Sequence, residues 1–150
     1  MSIRVLKIIP ETMADGPGLR TAVYVAGCKH HCPGCHNPES WDFNQGEEWD
    51  PIELAKELLK DPYTNITFSG GDPIYQMDDL IKCCQYIKTH SLKNIWVYTG
   101  FTFEVLLDMP KYLDLEPYVD TFVTDPFILE QRTTDLPFRG SSNQRIINVN

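Results

Sequence analysis

Three cysteines, Cys28, Cys32 and Cys35, fall within eight residues in the segment Gly27-Cys-Lys-His-His-Cys-Pro-Gly-Cys-His-Asn-Pro38. A loop this short can wrap three thiolates around one small inorganic object, and ligand number and geometry select which. Structural zinc takes four closed ligands, and His30, His31 or His36 is at hand to complete a Cys3His set. Structural zinc motifs usually come as two separated pairs, however. The remaining cysteines, Cys83 and Cys84, are adjacent, a spacing that suits no standard knuckle. Iron–sulfur clusters are normally held by four thiolates. Three would leave one iron of a 4Fe–4S cluster without a protein ligand, an open position where chemistry can happen. Spacing alone leaves the open cluster and zinc both standing.

The elements that must position this loop are short and alternate in type. Ile3–Ile9 reads as a strand, and Asp15-Gly-Pro-Gly18 as a turn. Thr21–Ala26 reads as a second strand that runs into the cysteine loop, which extends to about Gln45. Asp50, Pro51 and Glu53 are cap, first-turn proline and capping-box acid of a helix carrying Leu54, Ala55, Leu58 and Leu59. Asn65–Ser69 is a strand ending in Gly70-Gly71-Asp72-Pro73. A helix over about Asp78–Thr89 follows, then a strand over Ile95–Thr99 and a short helix from Thr102 to Asp108. Further strands are expected near Val119–Val123 and over Arg145–Val149. Strands alternating with helices predict an α/β fold with a mostly parallel sheet. About four βα units are visible, half of a closed eight-fold barrel, which predicts an open partial βα barrel. A small flavodoxin-like sheet fits the same periodicity.

Leu80, Cys83, Cys84 and Ile87 recur at helical spacing on one face, which predicts that both cysteines pack in the core as small hydrophobes. His30 and His31 read as solvent-exposed loop residues rather than ligands. Thr99 and Gly100 either border a ligand or form a simple strand-to-helix turn. Asp15–Arg20 either shapes a pocket or only turns the chain.

The chain has 150 residues, room for one domain over 1–150. Acidic residues number 21 against 13 basic ones, a formal charge of −8. That balance disfavours a grip on a polyphosphate backbone, so no nucleic-acid partner is expected. No apolar run approaches the roughly 18 residues of a membrane span, and Met1–Pro10 lacks the plan of a signal peptide. The expectation is a cytoplasmic protein with no membrane partner.

The C-x3-C-x2-C loop resembles the signature of the radical S-adenosylmethionine superfamily. Asp15-Gly-Pro-Gly-Leu-Arg20, Cys35-His-Asn-Pro-Glu-Ser-Trp41, Ser69-Gly-Gly-Asp-Pro73, Tyr98-Thr-Gly-Phe101 and Phe138-Arg-Gly-Ser-Ser-Asn-Gln-Arg145 narrow the resemblance to the anaerobic ribonucleoside-triphosphate reductase activating proteins. These motifs cover nearly the whole chain and stand in that family's order. The superfamily often has an aromatic residue just before the third cysteine; here the position is Gly34, as is common in the narrower family. The resemblance implies an enzyme in which Cys28, Cys32 and Cys35 ligate three irons of one 4Fe–4S cluster. The amino and carboxylate groups of S-adenosylmethionine would chelate the fourth. It further implies that Ser69, Gly70, Gly71 and Asp72 receive the cofactor's methionyl amino group. Gly34, Cys35 and His36 are implied as further cofactor contacts. The implied substrate is a glycine on the large subunit of the anaerobic ribonucleotide reductase, and a low-potential flavodoxin is the implied electron donor. Gly140–Arg145 would close over the site or touch the partner.

Overall fold

The computed structural model describes residues 2–35 and 38–150. Along the chain run β1 (Ile3–Thr12), β2 (Arg20–Val25), β3 (Glu47–Trp49), α1 (Pro51–Leu58), β4 (Asn65–Gly70), α2 (Met77–His90), β5 (Ile95–Tyr98), α3 (Phe103–Leu107), α4 (Tyr112–Leu115), β6 (Thr121–Thr124) and β7 (Arg145–Asn148). Among the described residues the strands form one seven-stranded sheet in the order β3-β1-β2-β4-β5-β6-β7. The central four, β2, β4, β5 and β6, are parallel, and β1, β3 and β7 pair antiparallel at the flanks. The sheet is not closed: β3 and β7 are its two edges.

The expected α/β architecture is therefore present, with a sheet more mixed than the βα alternation predicts. Its cause is connection length. The turn between β1 and β2 is too short for the crossover of a dozen or more residues that a parallel pair requires, so the two form a hairpin. β3 goes unread in the sequence because Glu47-Glu48-Trp49 is short and acidic, and only its pairing with β1 makes it a strand. Helix starts, in contrast, are written locally. Asp50 accepts from the backbone N–H groups of Ile52 and Glu53, and Thr102 caps α3 through Val105 N–H.

Side-chain alternation divides the sheet's two faces. Val23, Ile66, Phe68, Ile95, Val97 and Phe122 join Leu54, Leu58, Leu80, Ile87 and Leu115 of the helices in one buried core. Cys83 and Cys84 are fully buried in it, as their helical spacing predicts. The alternate residues Tyr24, Ser69, Tyr98 and Val123 belong to the opposite parity, Tyr24 beside Ser69 and Tyr98 beside Val123 in register. These four open onto a cleft. Among the described residues no helix is long and apolar enough to cross a membrane.

Candidate functional site

The cleft has a volume of about 320 Å³ and lies over the C-terminal ends of the parallel strands, the end at which open α/β sheets hold ligands. Ser69, Gly70 and Gly71 form one wall, Thr99 and Gly100 the next, and Cys28, Cys32 and Cys35 face them. The turn after β4 is stitched to the start of the cysteine loop. Gly71 N–H donates to Val25 O at 2.8 Å, and Asp72 N–H to Gly27 O at 2.8 Å. A Cβ at Gly71 would stand 2.4 Å from that Gly27 carbonyl, so only glycine permits the approach.

Asp72, wholly buried, uses its carboxylate to tie three segments together. One oxygen accepts from Ile74 N–H at 3.0 Å. The other accepts from His30 Nε2 at 2.7 Å, Thr99 Oγ1 at 2.8 Å and Gly100 N–H at 2.9 Å. The ring of His30 also stands edge-on to Phe101 at 4.6 Å. His30 is thus not the solvent-exposed residue its loop position predicts: its side chain is only 16% exposed, because a partner in the next βα unit covers it. His31 is exposed, stacked on Trp41 at 4.4 Å.

The alternatives for Asp15–Arg20 merge. Arg20, 1% exposed, donates to Thr67 Oγ1, to the carbonyls of Pro17 and Ile66, and to Asn94. Burial lowers its guanidinium to about 10. Thr67 Oγ1 in turn donates to Asp15 O, so the turn is pinned to the sheet and Asp15 faces the cleft. There Tyr24 OH donates to Asp15 Oδ2 at 2.6 Å.

Residues 125–144, joining β6 to β7, form the remaining wall through Asp125, Phe127, Gly140 and Gln144. Loops longer than about 12–15 residues without regular structure are commonly functional. Leu129 of this strap packs over Gly34, whose φ is +76°. A Cβ at Gly34 would stand 2.7 Å from Leu129 Cδ1, so a side chain there would have to displace the tip of that exposed leucine as well as adopt the left-handed backbone.

None of the five cysteines is in a disulfide. Burial pushes Cys28 up to about 11, against the opposing pull of N–H groups from His30 and His31; Cys32 is also raised by burial, opposed by the backbone N–H of Phe127. A positive inorganic centre would reverse the burial effect and keep the N–H contribution. Among the described residues no three His, Cys, Asp or Glu side chains converge on the point a single ion would occupy. Thiols that each bind a different iron of a cluster need not converge. The donor set of three soft thiols on one cleft fits a 4Fe–4S cluster.

The structure thus brings Cys28, Cys32, Cys35, Ser69, Gly70 and Gly71 to one cleft, with the buried Asp72 standing behind its lining, whereas Gly34 is exposed and not part of that lining. His36 lies outside the described residues. Sequence reading passed over Tyr24, Asp125 and Phe127, and named Tyr98 and Gln144 only as members of longer motifs. For the two tyrosines a signal exists, since both share strand parity with the residue pairs that open onto the cleft.

The chain matches the family described as "4Fe-4S single cluster domain" over residues 14–147. It is 33% identical over 150 residues to an anaerobic ribonucleoside-triphosphate reductase-activating protein of Haemophilus influenzae, covering 94% of this chain and 95% of the relative. A protein of the same name from Vibrio cholerae is 34% identical over 146 residues, with 91% and 92% covered. That of Escherichia coli is 31% identical over 144 residues, with 90% and 92% covered.

Proposed function

This chain belongs to the family of anaerobic ribonucleoside-triphosphate reductase-activating proteins, and from that premise we propose that it is a radical S-adenosylmethionine enzyme that installs a glycyl radical on the large subunit of that reductase. The observation that carries the reading is the meeting of three cysteines, none in a disulfide, and two strand-end turns, Ser69–Gly71 and Thr99–Gly100, on one cleft.

Cys28, Cys32 and Cys35 would hold a 4Fe–4S cluster, with S-adenosylmethionine bound beside it in the same cleft. When bound, that pair supplies, on one-electron reduction from a low-potential donor such as a flavodoxin, a 5′-deoxyadenosyl radical that takes a hydrogen atom from the partner's glycine. The chain's own residues position and enclose. Ser69, Gly70 and Gly71 offer strand-end backbone to the cofactor's amino group, and Gly34, Cys35 and His36 border the cofactor from the loop. Asp72 serves the same site from behind, by holding the turn, the cysteine loop and the β5 end in register. Asp15, Tyr24 and Tyr98 shape the floor.

The test is an anaerobic activation assay with the reductase, a low-potential reductant and S-adenosylmethionine. The expected result is a glycyl signal on the reductase by electron paramagnetic resonance, with 5′-deoxyadenosine and methionine formed. A colourless, anaerobically purified protein with one zinc and no acid-labile sulfide would end this reading.

A further inference from the structure

Within the motif Phe138–Arg145, the side chains of Ser141, Asn143 and Gln144 are spent on the strap to which they belong. Gln144 Oε1 accepts from Gly140 and Ser141 N–H, and its Nε2 donates to Asp125 O at 3.0 Å. Ser141, wholly buried, accepts from Ile128 N–H and donates to Asn143 Oδ1. Asn143 Nδ2 donates to Pro126 O at 2.8 Å. Three of these bonds, from Gln144 Nε2, Ser141 Oγ and Asn143 Nδ2, fall on the backbone between Asp125 and Ile128.

The last of these bonds bears on Cys32. Pro126 C=O and Phe127 N–H belong to a single planar peptide group, so holding the oxygen fixes the direction of the N–H. Phe127 and Cys32 line the same cleft, and a hydrogen bond from Phe127 N–H to the Cys32 sulfur opposes the effect of burial on that thiol. A donor at the carbonyl end also polarises the amide and strengthens what its N–H gives. Asn143 itself does not line the cleft. Its two sides are both engaged: Oδ1 receives Ser141, Nδ2 reaches Pro126.

We infer that Asn143 is a positioning residue for the cluster: it orients the Pro126–Phe127 peptide so that Phe127 N–H is donated to the Cys32 sulfur, easing one-electron reduction of the centre that sulfur ligates. The inference rests on the reading of Cys32 as a cluster ligand. Hydrogen bonds to ligating sulfurs are one of the protein's means of setting a cluster's potential, because they stabilise the more negative, reduced state. The strap is thereby more than a wall. It links the C-terminal motif to the electronic state of the loop it covers.

The test uses the full chain with ¹⁵N-labelled phenylalanine, reconstituted with iron and sulfide and reduced by dithionite as the electron donor. Pulsed electron paramagnetic resonance is expected to show a ¹⁵N coupling that disappears in Phe127→Leu, whose amide at that position is unlabelled. A loaded wild-type cluster without that coupling overturns the inference and leaves the proposed function standing; a chain that takes up no cluster fails the function instead. Asn143→Asp preserves the shape and the acceptor toward Ser141 and lacks the donor to Pro126. It is expected to weaken the coupling and to move the midpoint potential to more negative values, and an unchanged coupling overturns the role of Asn143. Where a chain holds no cluster, hydrogen exchange of the Phe127 amide in the cluster-free protein gives the answer. Exchange about tenfold faster in Asn143→Asp, with the other phenylalanine amides unchanged, supports the role, and equal rates overturn it.

Discussion

His30 Nε2 lies 2.7 Å from Asp72 Oδ2, and this contact joins the cysteine loop to the turn that follows β4. Because the same oxygen receives Thr99 and Gly100, one buried carboxylate holds three walls of the cleft. Removing its charge leaves several donors in competition for fewer acceptors, and buried donors left unpaired are costly. Asp72→Asn is expected to cost about 1–3 kcal/mol in chemical denaturation and to lower the iron retained per chain. Wild-type stability and iron content in this variant would refute the joint.

The two groups of cysteines should separate cleanly on mutation. Cys35→Ala is expected to abolish cleavage of S-adenosylmethionine through loss of the intact cluster, with the fold kept. Cys83→Ala removes a fully buried sulfur from the core and is expected to cost about 1 kcal/mol while leaving iron content unchanged. Cofactor cleavage surviving in Cys35→Ala would contradict the assignment.

Thiol chemistry gives a second separation. The thiolate is the nucleophile, and burial alone raises Cys83 and is the largest of the influences raising Cys84. In the cluster-free native chain both are expected to resist iodoacetamide at neutral pH, and to react only after denaturation. Mass mapping checks this, with Cys35, partly exposed at the cleft, as the reactive reference. Equal labelling of Cys83 in the native chain would remove it from the core.

Arg145 forks onto two carboxylates, Glu104 at 2.7 and 3.0 Å and Asp125 at 2.7 and 3.2 Å. Hydrogen bonding to Arg145 lowers Glu104 from its ordinary 4.5 to about 2. The sign follows: the tie is fully present above pH 4.5 and is lost as pH falls through about 2. Carboxyl-carbon NMR is expected to show Glu104 ionised well below 4.5 in the wild type, and titrating near its ordinary value in Arg145→Met. An unshifted Glu104 in the wild type would sink the prediction.

Arg20→Lys tests the pinned turn. Lysine keeps the charge and loses the planar fork that reaches Thr67, Ile66 and Asn94 together. It is expected to destabilise by about 1–3 kcal/mol and to speed amide exchange across residues 15–19. Exchange at the wild-type rate there would assign the turn's order to something else.

What the sequence determined by itself is whatever a few adjacent residues decide. The spacing of Cys28, Cys32 and Cys35, the Asp50 and Thr102 caps, and the helical period that buries Cys83 and Cys84 are all local, so propensity, capping and periodicity reveal them. The parallel centre of the sheet follows from its helical crossovers. Tertiary structure decided what depends on distant residues meeting. The short connection between β1 and β2 forces a hairpin whose edge then recruits β3, an acidic segment with no strand signal of its own. His30 is drawn inward only because Asp72 waits in another βα unit. The Pro126 carbonyl meets its donor only where Asn143, toward the far end of the strap, returns to it. Such contacts leave no trace in local pattern, since a hydrogen bond needs two atoms in the right place and the chain between them does not record where it returns.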